Sequence, residues 1–230
     1  MFIYSLEYDT YSDFDGKLNA TIATLGCNFR CGYCHNPHLI FNDSKIRHES
    51  ILNSLRKNSN FYESVCITGG EPTLHGNKLV DFIKKIKDMD YLVKLDTNGS
   101  NPQVLETLIN KNLVDYVAMD IKGTKLQYSE IADYDDISNI QKSIDLIRTL
   151  DDYEFRTTVL PKHHKKSHIS KIGIWLHGIK RYTIQQFRPD MGGGCLNPEY
   201  EKLETYTKSE LEEFKKLLES HMDEVKIKCK

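Results

Sequence analysis

The chain has 230 residues, 39% of them apolar and 28% charged, with a formal net charge of -2 at pH 7. No Gly/Ser-rich linker divides it, so it reads as a single domain, given that about 100–200 residues is the usual domain size. The near-neutral balance argues against a broad basic face for nucleic acid, and no apolar run approaches the roughly 18 residues of a membrane span.

The opening stretch MFIYSLEYDTYSDFDG has neither the basic start nor the apolar centre of a secretory signal, so a cytoplasmic protein is expected. Thiols stay reduced there. Clustered cysteines are then read as metal ligands or redox groups rather than disulfides.

Along the chain, short β-rich runs alternate with helical periodicity. The predicted strands are 18–25, 65–68, 92–95, 116–119, 154–159 and 182–187. Leu79, Phe82, Ile83 and Ile86 recur at helical spacing, as do Val104, Leu105, Leu108 and Ile109 behind the Asn101-Pro102 start signal. Ser138 with Gln141, and Thr207 with Glu210, read as capping boxes. Alternating strands and helices predict an α/β fold with a parallel sheet and outer helices, in which ligands gather at the C-terminal strand ends. Those ends carry Gly26-Cys27, Thr68 to Glu71, Asp96 to Gly99, Asp120 to Gly123, Arg156 within its strand, and Gln185 to Pro189.

The segment TLGCNFRCGYCHNP places Cys27, Cys31 and Cys34 in a CxxxCxxC loop after the first predicted strand, with Gly32 available for a positive φ. A structural zinc site needs four protein ligands, and no second cysteine pair stands ready, although His35 or His38 could supply a fourth. A 4Fe-4S cube held by three thiolates instead keeps one iron open for a small molecule. The glycines at 69 and 70 would let backbone carbonyls approach a ligand's ammonium, with Glu71 adding negative charge, but the same residues also suit a plain strand-ending turn. Asp96 and Asn98 read equally as turn formers, and Lys122 as a solvated loop lysine.

Taken together, CxxxCxxC with Tyr33 before the last cysteine, followed by GGE at 69–71, resembles the radical S-adenosylmethionine (SAM) superfamily. The resemblance implies a partial (β/α)6 barrel, with the core over about 17–190 and a C-terminal extension from about 191. It also implies a 4Fe-4S cluster on Cys27, Cys31 and Cys34 whose open iron chelates SAM for cleavage to a 5'-deoxyadenosyl radical. Asp13 to Gly16, Asp96 to Gly99 and Met119 to Gly123 resemble the glycyl-radical-enzyme activating branch, although Asp15 stands where a proline is common. In that branch Asp96, Thr97, Asn98 and Asp120 would serve a monovalent cation or the cofactor. Lys122 would pair with the SAM carboxylate, and Tyr33, Gly69, Gly70, Glu71 and Arg156 would complete the cofactor contacts.

The cysteine loop, the QQFRP segment and Gly194-Cys195-Leu196 look most like activating proteins of anaerobic ribonucleoside-triphosphate reductase. Such a protein takes an electron from flavodoxin or ferredoxin and acts on a glycine of a partner glycyl radical enzyme. The alternatives are a pyruvate formate-lyase activating type, an enzyme resembling 7-carboxy-7-deazaguanine synthase, and a zinc-stabilised binding module.

Among the remaining features, Cys66 and Trp175 read as core. Cys195 and Cys229 read as isolated, and PKHHKKSH at 161–168 reads as a solvated basic loop first, a docking surface for a partner's acidic region second and a nucleic-acid contact third, with the adjacent His163 and His164 weak evidence for a metal.

Overall fold

The computed structural model describes residues 1–8, 14, 16–190 and 193–229. Contacts divide these into two compact units, the first built from 1–28, 38–118 and 138–152, the second from 29–37, 119–137 and 153–230.

In the first unit, β1 (Ile3–Glu7) pairs antiparallel with β2 (Asn19–Thr24), which pairs parallel with β3 (Ser64–Gly69), which pairs parallel with β4 (Leu92–Thr97). The helices are α1 (His38–Phe41), α2 (His48–Asn58), α3 (Asn77–Lys87), α4 (Pro102–Asn110) and, later in the chain, α6 (Ile137–Ile147). Register puts Ala20, Ile22, Val65, Ile67, Val93 and Leu95 on one sheet face, all without solvent exposure. This apolar face and the apolar stripes of the helices, among them Leu79, Ile83 and Ile86 of α3, are what burial drives together.

The opposite face is also buried, yet it carries Asn19, Thr21, Cys66 and Lys94. Parallel strands are ordinarily apolar on both faces, so polar groups here need partners and mark the side where chemistry can occur.

The strand β5 (Tyr116–Asp120) begins in the first unit, where Asp115 N–H donates to the Val93 carbonyl, and ends in the second. In the second unit Ile121 N–H donates to the Arg156 carbonyl, and β6 (Tyr153–Val159), β7 (Ile179–Gln186) and β8 (Met222–Lys228) pair parallel in that order. Its helices are α5 (Tyr128–Ala132), α7 (Lys166–Trp175) and α8 (Lys208–Leu218).

All six predicted strands form. β1 and β8 were not expected. The Thr207–Glu210 capping box is present at α8, whereas α6 begins at Ile137, which places Ser138 inside the helix rather than at its cap. Pro102 starts α4 as predicted, but the Asn101 side chain makes no capping bond.

Candidate functional site

The first unit brings the strand ends of β2 and β3 together through backbone contact. Gly26 N–H donates to the Leu39 carbonyl, Gly70 N–H to that of Thr24, and Glu71 N–H to that of Gly26. The approach is close enough that a Cβ on Gly70 would lie 2.0 Å from the Gly26 carbonyl oxygen, and one on Gly69 would meet the Thr24 backbone at 2.3 Å. Gly69 also sits at φ +123°, a region that L side chains rarely adopt. Both glycines are therefore required by packing against the residues that lead into Cys27.

Glu71 is fully buried and saturated by protein donors. Thr73 N–H (3.0 Å), the Thr73 hydroxyl (2.5 Å) and the Thr97 hydroxyl (2.8 Å) reach one carboxylate oxygen, and Asn98 N–H (2.6 Å) reaches the other. Burial pushes its carboxyl above the ordinary value, and the four donors pull it partway back. The carboxylate thus locks the 69–75 turn to the end of β4. Asn98 continues the lock, donating from Nδ2 to Asn28 Oδ1 at 3.0 Å, next to Cys27. Asp96 does not join it: its Oδ1 lies 2.7 Å from the Lys94 ammonium, and both side chains are nearly enclosed, at 13% and 5% exposure.

The second unit holds Cys31, Tyr33 and Cys34 in a turn closed by Cys34 N–H donating to the Cys31 carbonyl. Arg30 N–H anchors the loop to the Ala132 carbonyl, while Leu196 and Asn197 N–H groups donate to the Cys34 and Gly32 carbonyls. Gly32 does not take the positive φ expected of it. It must be glycine because the Tyr200 ring would stand 2.4 Å from a Cβ there.

Asp120 is the hub of the charges. Its Oδ2 accepts from Lys122 Nζ at 2.8 Å and its Oδ1 from Arg156 Nε at 2.5 Å. Burial opposes ionisation of Asp120, but the two cations outweigh it and hold the carboxyl well below the usual range. Burial likewise works against the Lys122 ammonium; Asp120, then Tyr33 and Cys31, more than compensate and raise its pKa. Lys122 thus lies within electrostatic reach of Asp120, Tyr33 and Cys31. Burial drives the Tyr33 phenol well above its ordinary value, and its hydroxyl is enclosed without a hydrogen-bond partner. A buried orphan hydroxyl beside a fixed ammonium is the kind of group a bound ligand satisfies.

Sequence reasoning missed the support beneath Lys122. His163 and His164 are 2% and 0% exposed, so these two leave the solvated loop that 161–168 reads as, while Lys162, Lys165, Lys166 and Ser167 are exposed as expected. The ring Nε2 of His164 lies 3.0 Å from the Lys122 carbonyl, and the Nε2 of His163 lies 2.8 Å from the Tyr200 hydroxyl. Flanking lysines hid the pair. Trp175 is half-buried rather than core, edge-on to Tyr128 with the Lys125 ammonium 5.2 Å from its ring centre. Cys195 is buried, and burial, then Glu201 and Cys34, raise its thiol pKa. Cys66 is buried as expected, Cys229 is exposed, and no cysteine is in a disulfide. Of the 13–16 segment, Asp13 and Asp15 lie outside the described residues.

Among the described residues, no group of three or more His, Cys, Asp or Glu side chains is gathered closely enough to ligate a single metal ion. A cube takes each thiolate on a separate iron, a wider arrangement, so the loop's fitness rests on its donor chemistry: three soft sulfur ligands within eight residues.

The family model described as "Radical SAM superfamily" matches residues 21–169. The chain belongs to the radical SAM superfamily. A Methanocaldococcus jannaschii protein provisionally named a glycyl-radical enzyme activating enzyme is 34% identical over 94% of this radical SAM chain and 91% of its own. The 7-carboxy-7-deazaguanine synthase of Aquifex aeolicus is 36% identical, but over only 37% of this chain and 38% of its own. Among solved structures, Streptococcus suis SuiB bound to S-adenosylmethionine superposes with a TM-score of 0.65 at 14% identity, covering 90% of this chain. This chain spans 49% of SuiB, about half its length, and the likeness speaks to the fold: α/β with a mostly parallel sheet. No described helix is long and apolar enough to cross a membrane.

Proposed function

We propose that this radical SAM protein generates a glycyl radical on a partner enzyme, and that the partner is an anaerobic ribonucleoside-triphosphate reductase. Cys27, Cys31 and Cys34 would hold a 4Fe-4S cluster, and SAM would bind beside it at an iron that no cysteine occupies. When bound, the pair supplies one-electron reductive cleavage of a carbon–sulfur bond, and reduced flavodoxin or ferredoxin is the electron source.

The chain's own residues position and enclose. Lys122, kept protonated by Asp120, is a fixed cation for the SAM carboxylate. The partnerless Tyr33 hydroxyl is available to the ligand. Arg156 holds Asp120 from its second oxygen. Glu71, Thr97 and Asn98 keep the β3 and β4 ends rigid against the residues before Cys27, so the cysteine loop starts from a fixed point. None of these groups needs to move a proton. The two carboxylates assigned to a monovalent cation by resemblance, Asp96 and Asp120, already carry side-chain cations, so no such ion is included.

The observation that carries the activating-enzyme part of the reading is the 34% identity to the activating-enzyme relative along 94% of the chain, where the deazaguanine synthases that match as much as 64% and 76% of the chain are only 25% and 21% identical. The reductase partner rests on the resemblance of the cysteine loop, QQFRP and Gly194-Cys195-Leu196. Co-incubation of the reduced protein with SAM and candidate anaerobic reductases tests it. A glycyl-radical doublet on the reductase in spin resonance supports the proposal. Formation of 5'-deoxyadenosine with no radical on any glycyl radical enzyme would favour a small-molecule substrate instead.

A further inference from the structure

Lys94 is a lysine in the middle of a parallel strand, on the buried polar face of the first unit, paired in register with Cys66 of β3. Its side chain is 5% exposed, its ammonium lies 2.7 Å from Asp96 Oδ1, and the Tyr116 ring centre is 5.9 Å away. A lysine is rarely enclosed to this degree unless an opposite charge holds it there.

Asp96 is one of the two carboxylates that resemblance to the activating branch assigns to a monovalent cation or to the cofactor. The residues present do not fit such an ion. A mobile ion at Asp96 would have to share that carboxylate with an ammonium already at contact distance, and like charges brought together in a poorly solvated site repel strongly. Asp120 is engaged in the same way, with Lys122 on one oxygen and Arg156 on the other.

We propose that Lys94 is a tethered monovalent cation: its ammonium supplies at Asp96 the positive charge that a sodium or potassium ion would otherwise bring, so SAM binding is independent of either ion. The inference rests on the radical SAM reading for the identity of the ligand, and on the Lys94–Asp96 contact for everything else. A strand-borne ammonium cannot dissociate, so the site is charge-balanced at any salt composition. Losing the ammonium removes the positive charge in contact with Asp96 in an enclosed site, and a small cation should then take that place.

The test uses the anaerobically reconstituted holoprotein in choline buffer, with sodium-23 line broadening as a binding readout and equilibrium dialysis for SAM. For wild type, sodium shows no saturable binding, and the SAM dissociation constant changes less than twofold on adding sodium or potassium. For Lys94→Met, SAM binding weakens at least tenfold in choline and recovers on adding potassium or ammonium, and saturable sodium binding appears. Saturable sodium binding by wild type, or a wild-type SAM affinity that rises with potassium, overturns the proposal whether or not the variant folds. So does a folded Lys94→Met that binds SAM as wild type does in choline. A wild-type protein that neither binds nor cleaves SAM contradicts the functional reading instead, and the sodium titration still judges Lys94.

Discussion

His164 Nε2 sits 3.0 Å from the carbonyl oxygen of Lys122, and Leu160 N–H points at the same ring's Nδ1 at 3.3 Å. One nitrogen donates and the other accepts, so the ring must be neutral. Burial, outweighing the backbone contact to Lys122, lowers its pKa to about 4.

Stability should therefore fall with acid in a defined window. The unfolded histidine takes a proton as pH drops through about 6.5, while the folded one resists until about 4. The unfolded state binds more protons across that interval, so stability declines as pH falls, by up to about 3 kcal/mol from this residue. Half-buried His75, also lowered to about 4 by burial, adds a smaller share in the same direction. Denaturant titrations at pH 7 and 5 should show the decline, and His164→Gln should flatten it. A wild-type curve level between these values would contradict the assignment.

Asp120→Asn leaves Lys122 and Arg156 facing each other's charge without the carboxylate that now separates them. Since Asp120 is 29% exposed, solvent screens part of the loss, and about 1–3 kcal/mol of stability should go. SAM affinity should fall about tenfold or more, because Lys122 loses the partner that fixes it. Calorimetry and dialysis read the two effects separately.

Gly70→Ala should cost about 1–3 kcal/mol or more, since its Cβ would land on a backbone carbonyl that cannot turn aside. Glu71→Gln should cost a similar amount, about 1–3 kcal/mol: an amide nitrogen must face Asn98 N–H or the Thr73 and Thr97 donors in a fully buried place. Thermal melting of each variant checks these, and a change below about 0.5 kcal/mol in either would mean that the turn relaxes around it.

Strands β2 to β7 were legible because β-branched and apolar runs ended in glycine or charge, the signature of buried strands with functional loops. β1 and β8 were not, because edge strands bury few side chains: along β8 only Met222 and Val225 are buried in a run of charges. The cysteine loop and strand ends were legible as motifs, but the reason for Gly32 was not, since the Tyr200 ring comes from 168 residues away in the chain. Lys94 and the two histidines were missed for a common reason. Composition reads lysines and lysine-flanked histidines as solvated, and only the fold reveals the partners Asp96, Lys122 and Tyr200 that make their burial tolerable.

The central claim is that the cysteine loop carries a cube with one open iron, and anaerobic purification followed by iron, sulfide and 5'-deoxyadenosine assays tests it most directly. The account predicts about four irons and four sulfides per chain in wild type, and 5'-deoxyadenosine on adding SAM and dithionite. Cys31→Ala should lose cluster absorbance and cleavage together. One zinc without sulfide in wild type, or full cleavage by Cys31→Ala, would contradict it.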